Sequence, residues 1–440
     1  MKRPLPILLR HILYNLRGGF LVRPMAIALT LGCAGMLWPW LESTHPGISV
    51  WVPRALFPSH ADPMVAQGIL ADIATSIMTV VSIVFAILLM TLTLASMQFS
   101  PRIIVSFAKD RVTQWTLGIF LGTFAYCMAA LPSARSRPAP FEPVATVLGA
   151  MFLAVACVGW LLFFIYHISH AISVNQIVDR IAAETETIVD EMMPSPRRSV
   201  RVVEPPREAI EWTPAVPSEV SGYIRVVDTG RLVQLARIYH VKIQVTRRVG
   251  QFVPAGIPLV EVSKADRLTP DADDDVRAAF DFGPFRTLQQ DVEFGVLQIV
   301  DIALKAISPA VNDPTTAISC VDQLSRILIR FASREPPEEL LYDPPGVFRV
   351  SIQWVDFDHL LDSAFEQIRM YAKADVAVSL RLLRALRDIA SAAPDRQFRR
   401  SLLASGKRVV AGCAERLGEE EMRHLRVRLL ALEKVADLRL

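Results

Sequence analysis

Charge is scarce at the start of this sequence. Of 440 residues, the first 170 carry 16 charged side chains, 11 Lys/Arg and 5 Asp/Glu, or about 9%. Residues 171–440 carry the other 36 Lys/Arg and 39 Asp/Glu, about 28%. A stretch so poor in charge cannot cover the surface of a water-soluble domain, whereas the second part has an ordinary soluble composition. A fully soluble enzyme and a disordered chain are both excluded. Cysteine is scarce too: Cys33, Cys127, Cys157, Cys320 and Cys413, three of them in apolar runs and none at metal-ligand spacing. That excludes a disulfide scaffold and leaves small apolar side chains in a reducing compartment. An excess of one sign is also missing. The first part sums to +6 and the second to −3, for +3 overall, which excludes nucleic acid as the main partner. No nucleophile–base–orienter set is legible, so neither enzyme activity nor a cofactor is expected.

What is present is long uncharged runs: Pro24–Leu41 (18 residues), Ile73–Pro101 (29), Val112–Ala134 (23) and Pro143–Val178 (36). A helix of ~20 residues crosses ~30 Å of hydrocarbon. Spans are expected at about 24–42, 73–97, 114–132 and 145–168, within a four-span domain over 24–170. The first is the shortest, with Pro39 near its end. Lys2, Arg3, Arg10, Arg17, Arg23, Arg102, Lys109 and Arg111 flank one side, against Arg54, Arg135 and Arg137 on the other. Eight against three places both termini in the cytoplasm of a bacterial inner membrane. Residues 1–23 read as an amphipathic arm, with Leu5, Leu8, Leu9, Ile12, Leu13, Leu16 and Phe20 on one face, lying in the inner headgroup layer rather than serving as a cleaved signal peptide.

The second half reads as α+β. Ala171–Met193 continues span four as a polar helix, and Pro194, Pro196, Pro205, Pro206, Pro214 and Pro217 make the rest of 171–219 an irregular linker. Residues 220–265 form a small β module with strands at Ser221–Val227, Val241–Thr246 and Pro258–Val262, resembling a lipoyl-like or barrel-sandwich unit without the lysine such carriers modify. Residues 286–440 are mainly helical. Thr287 with Gln290 forms a capping box for a helix to about Ile307, and Asp313 with Pro314 starts the next. A strand at Val347–Trp354 and three or four amphipathic helices over 357–437 complete the chain.

Two clusters with metal-ligand residue types read as structural. Asp271, Asp273 and Asp275 mimic the start of a calcium loop, but Val276 and Phe282 stand where Gly and Glu are required. His167 and His170 have i, i+3 spacing without a third ligand. The most informative element is span two. Thr75, Thr79, Ser82, Ala86, Leu89, Thr93 and Ser96 recur at 4-3-4-3-4-3 spacing on one helix face, with Asp72 one step outward and Ser100 one step inward. Such a stripe serves close helix packing in lipid or lines an aqueous path whose acidic mouth selects cations; packing is the commoner use. The Arg286–Ala317 segment is dense in polar detail, with Asp301 and Lys305 at i, i+4. It reads mainly as capping and packing, and secondarily as a ligand pocket.

Two motifs carry a family resemblance. One is Ser96-Met97-Gln98-Phe99-Ser100-Pro101-Arg102. The other runs from Arg286-Thr287-Leu288-Gln289-Gln290-Asp291 through Asp301-Ile302-Ala303-Leu304 to Asn312-Asp313-Pro314. Over most of its length the chain resembles the bacterial family of predicted inner-membrane proteins carrying domain of unknown function twenty-two fifty-four. The resemblance implies a topology and brings no activity, cofactor or ligand set. The expected function is a homo-oligomeric pore for an ion or small solute, with span two lining the path and the cytoplasmic half forming a vestibule or gate. The alternative is a non-conducting membrane-anchored sensor or scaffold whose soluble half binds a partner or ligand.

Overall fold

The computed structural model describes residues 21–45, 63–98, 111–134, 143–171, 173–193, 195–196, 210–344 and 346–437. The chain divides between Ser173 and Val174 into two compact units. The N-terminal arm, and with it the expected amphipathic face, lies outside the described residues.

The first unit holds four helices long and apolar enough to cross a membrane: α1 (Val22–Thr44), α2 (Pro63–Gln98), α3 (Arg111–Ala130) and α4 (Val144–Ala171). α1 runs on past Pro39. α2 begins ten residues before the expected start, because Asp72 ends the uncharged run without ending the helix; Gln67 Nε2 donates to the Ala134 carbonyl at 2.9 Å. α3 is the central helix, half of its apolar window being buried. Its Gly118 and Gly122 lie under Ile27 and Leu31 of α1, and Gly35 of α1 lies against Tyr126 of α3, where a Cβ would stand 2.4 Å from the Tyr126 carbonyl oxygen. Without a hydrophobic drive between helices in lipid, such close backbone approach holds them by dispersion. Gly118-x-x-x-Gly122 is the sequence signature of this contact and was missed in the runs above. At one end of the bundle the buried Glu42 accepts from Ala145 N (2.8 Å), Thr146 N (3.1 Å) and Thr146 Oγ1 (2.8 Å). It caps α4 from α1, satisfying amides that the helix itself leaves open.

The second unit opens with α5 (Val174–Met192), a helix separate from α4 rather than its continuation. Five strands, β1 (Thr213–Pro217), β5 (Pro258–Val262), β3 (Ile243–Val245), β8 (Val347–Ser351) and β7 (Leu340–Asp343), form one sheet in that order. β4 (Phe252–Val253), β2 (Gly222–Val227) and β6 (Phe280–Gly283) form a second. Neither closes, so the described sheets are open where a barrel-like module was expected. The reason is β8, which pairs in parallel with β3 from about a hundred residues away (Ile243↔Val350) and extends the sheet. β1, at the end of the proline-rich stretch, is an edge strand, where proline is tolerated because only one side of the strand is paired. α6 (Thr229–Ile238) and α7 (Pro270–Arg277) lie with the sheets over a core that includes Leu232, Ile243, Leu259, Val262, Val276 and Val350.

The remaining helices are α8 (Val292–Ala306), α9 (Pro314–Ala332), α10 (Phe357–Tyr371), α11 (Val376–Ala392), α12 (Arg396–Cys413) and α13 (Glu419–Asp437). Aspartate caps most of them: Asp291, Asp313, Asp356, Asp375 and Asp395 each accept a first-turn amide, as Asp228 does for α6. Each such cap contributes about 1 kcal/mol. Asp313 with Pro314 stands as expected. The Thr287–Gln290 capping box does not form: α8 starts later, at Asp291, because Gln290 is engaged by the Val227 amide (3.0 Å) across the unit. α9 lies along α5, Arg326 pairing with Asp179 (2.9 Å) and Glu186 (2.6 Å) and Arg334 with Asp190 (2.7 Å).

Candidate functional site

α2 has two faces. Ala66, Leu70, Ala74, Ile77, Val81 and Val84 are buried against the other spans. Asp72, Thr75, Thr79, Ser82, Ala86, Leu89 and Thr93 are exposed on the opposite side. The stripe therefore packs against nothing in its own bundle; the small-residue packing of this unit lies between α1 and α3. Each hydroxyl returns its proton to its own helix: Thr75 to the Ala71 carbonyl (2.9 Å), Thr79 to Thr75 (3.0 Å), Ser82 to Met78 (3.0 Å) and Thr93 to Leu89 (2.8 Å). This removes the penalty of an unbonded hydroxyl and leaves oxygen lone pairs, acceptors only, pointing outward. Ser96 and Gln98 lie in α2 but their side chains are outside the described residues, as are Phe99, Ser100, Pro101 and Arg102 altogether.

The second motif does not gather into one site. Arg286, Gln290 and Asp291 stand at the start of α8, and Asn312, Asp313 and Pro314 follow its end, ~22 Å away at 1.5 Å per residue. Asp301 is half-buried midway along α8, and Asn312 is exposed with φ +50°. At the first end a charged clamp forms. Arg286 donates to Asp291 through Nε and Nη2 (2.7 and 2.8 Å) and to Glu293 through Nη2 (2.9 Å). Gly250, at φ +86°, passes so close that a Cβ there would lie 2.3 Å from Asp291 Oδ2. Glu293 Oε1 also accepts from Ser363 Oγ (3.1 Å) and faces His359 Nε2 (2.6 Å), which lies 2.7 Å from Arg248 Nη2. One nitrogen cannot serve both neighbours. Neutral His359 can accept from Arg248, whereas a proton on Nε2 directs the bond to Glu293.

Burial dominates the Asp291 carboxyl and holds it above the usual carboxylate range, against the pull of Arg286 and the Phe294 amide. Burial pushes Glu293 the same way, but bonds from Arg286 and His359 outweigh it and the net direction is down. Two arginines balance two carboxylates, and the clamp ties the β3–β4 turn to α8 and α10. Arg248, Glu293 and His359 were missed because they are distant in sequence and follow no local pattern. Of the α7 aspartates, Asp275 binds Arg231 (3.0 Å) and Asp274 binds Arg277 (2.9 Å), while Asp271 and Asp273 stand in the first turn of the helix. Among the described residues no group of three or more His, Cys, Asp or Glu side chains is arranged to hold a metal ion.

Four apolar helices followed by an α+β unit define a polytopic membrane protein. The chain belongs to the family described as "Predicted membrane protein (DUF2254)", whose model matches residues 17–388. Among its relatives, the uncharacterised protein Mb1321c of Mycobacterium bovis is 32% identical over 390 residues, covering 87% of this chain and 73% of the relative. The uncharacterised protein Rv1290c of Mycobacterium tuberculosis matches to the same extent, 32% over 390 residues. No solved structure matches the chain.

Proposed function

We propose that this protein is a homo-oligomeric pore of the bacterial inner membrane, with α2 lining a path for cations or small polar solutes. The observation that carries the reading is the outward stripe of α2. Its hydroxyl protons are spent on the helix, and the oxygens left facing out are ligands for water and cations. Asp72 sits at the outer end of this column, where a ring of carboxylates from several copies concentrates counter-ions. The basic loops orient both termini to the cytoplasm, where the second unit serves as a vestibule or gate. A reporter that fluoresces only in the cytoplasm glows when fused after Leu440 and stays dark when inserted near Ser59.

The test is accessibility with conduction. Cysteines at Thr79, Ser82, Ala86 or Thr93, with Cys33, Cys127 and Cys157 removed, react with small hydrophilic thiol reagents, while cysteines at Ile83 or Phe85 do not. Ala86→Trp blocks current in reconstituted bilayers, Ser82→Ala changes it modestly, and Asp72→Asn weakens cation preference. Inert stripe cysteines with no current under voltage or tension reject the pore. The return bonds favour a second reading in that case: hydroxyls satisfied within the helix also tolerate lipid, which suits a membrane-anchored sensor or scaffold whose soluble half binds a partner or ligand.

A further inference from the structure

The clamp joins three elements through one imidazole. His359 stands in the first turn of α10, its amide donating to the capping Asp356 (2.7 Å). Its Nε2 lies 2.6 Å from Glu293 Oε1 on α8 and 2.7 Å from Arg248 Nη2 in the β3–β4 turn. A guanidinium offers only donors and a carboxylate only acceptors, so either form of the ring sets one of the two contacts like against like. Histidine is the side chain that changes charge between about pH 5 and 8. The His359 side chain is 44% exposed, so solvent supplies the proton.

The surrounding charges decide which contact gives way. Arg248 and Arg286 balance Asp291 and Glu293, so a proton on His359 leaves one positive charge in excess. Arg286 is fixed by bonds to both carboxylates. Among the described residues the Arg248 guanidinium has only His359 and, at 3.7 Å, Glu293 Oε1. That oxygen already accepts from Ser363 Oγ (3.1 Å). Glu293 stays ionised in this range: burial alone would raise its carboxyl, but bonds from Arg286 and His359 bring the net direction down. On α10 itself, Asp356 caps the helix, Asp358 is half-buried and Asp362 pairs with Arg408 of α12 (2.7 Å). Arg247 in the turn is exposed, and among the described residues no ion pair joins α10 to α9 or α11. Arg248 is therefore the group that a protonated ring displaces. Its loss is legible in the turn's own amides: Gly250 N donates to the Ile224 carbonyl (2.8 Å), Gln251 N to the Arg248 carbonyl (3.2 Å) and Arg248 N to Gln251 Oε1 (3.1 Å).

We propose that His359 is a pH-sensitive latch within the second unit. Neutral, it accepts from Arg248 and holds the β3–β4 turn to α10. Protonated, it donates to Glu293, ties α10 to α8 instead and releases the turn. The latch stands whether or not the protein conducts. The test is hydrogen exchange of the full-length protein in mild detergent, read by mass spectrometry between about pH 8 and 5.5 and expressed as protection relative to the unstructured chain, which cancels the intrinsic effect of pH. In wild type, protection over 246–252 falls about tenfold toward acid, the worth of one hydrogen bond to a charged group, while that of α11 stays level. His359→Gln takes no proton, so its protection does not change with pH. Arg248→Gln has no tether to lose and stays at the low level of acid wild type throughout. Asp291 is the other group able to titrate here, since burial holds its carboxyl above the usual range. A turn that still loosens in acid with His359→Gln or with Arg248→Gln answers to a different group and overturns the latch. Wild-type protection that stays level from end to end overturns it as well.

Discussion

Gly250 and Gly256 share the same backbone angle, φ +86°, and differ in what surrounds them. Alanine at either position forces an L-residue into the left-handed region, at about 1–2 kcal/mol. At Gly256 nothing lies within 4 Å of the added carbon, so backbone strain is the whole effect. At Gly250 the carbon would stand 2.3 Å from Asp291 Oδ2 and 2.7 Å from Arg286 Nη2. Carbon and oxygen settle no closer than about 3.3 Å, so the buried pair must yield by roughly 1 Å. A shift of that size breaks the bidentate bond and pulls Asp291 off the Phe294 amide it caps. Hydrogen bonds to charged groups are worth about 1.5–3 kcal/mol and a cap about 1, so Gly250→Ala exceeds Gly256→Ala by about 2–4 kcal/mol. In a unit of this size that is a further fall in melting temperature of about 4–16 °C, at about 2–4 °C per kcal/mol. The assay is thermal unfolding of the full-length protein in detergent, with hydrogen exchange read at the first turn of α8. Equal losses for the two alanines would refute the claim that the clamp is held at fixed geometry against the β3–β4 turn.

Glu42→Ala should lower the stability of the helical bundle by about 1–2 kcal/mol, and Glu42→Gln by less, since the amide keeps one acceptor for the α4 amides; detergent-denaturation midpoints measure both. Gly35→Leu should disrupt the α1–α3 contact by about 1–3 kcal/mol or more, while Gly159→Leu, with open space around it, changes little; the pair separates crowding from added bulk. For Glu293, a carboxyl held low in the folded state contributes stability above the unfolded value of about 4.3 and loses it as pH falls through the depressed value. Glu293→Gln is therefore destabilised near neutral pH, and its deficit relative to wild type vanishes in acid; a deficit constant with pH would reject the ionic role. Asp291 has the opposite sign, since a raised value favours the protonated folded form as pH falls, so Asp291→Asn should widen rather than close its deficit in acid.

The parts of the fold that were legible are those set by local chemistry. Charge gaps located four spans, and Asp313-Pro314 located a helix start because capping oxygen and fixed φ act within four residues. Where two local signals competed, tertiary contacts decided. Thr287–Gln290 and Asp291 are both plausible starts for α8, and the Val227 amide took Gln290. Asp72 ended an uncharged run but not a helix, since a helix end crossing the headgroup region tolerates charge. Periodicity found the α2 stripe, but which face turns toward the bundle is decided by packing against α3 and α4, helices far along the chain. The clamp was illegible for the same reason: Arg248, Glu293 and His359 meet only after β8 has extended the sheet and α10 has packed on α8.

The bonds that Glu42 accepts from the first turn of α4 also set an order of events. Their acceptor and donors are separated by 103 and 104 residues. At a synthesis rate of about 5–20 residues per second, Glu42 waits roughly 5–20 s before Ala145 and Thr146 exist. α1 can meet α3 sooner, since Gly122 is made before Ala145. A half-made bundle thus has its glycine seam closed and one carboxylate still hydrated, which holds that end of α1 at the water boundary until α4 arrives. Closing the bundle and dehydrating Glu42 become a single late step, so a chain truncated before α4 leaves this carboxylate without the donors of Ala145 and Thr146.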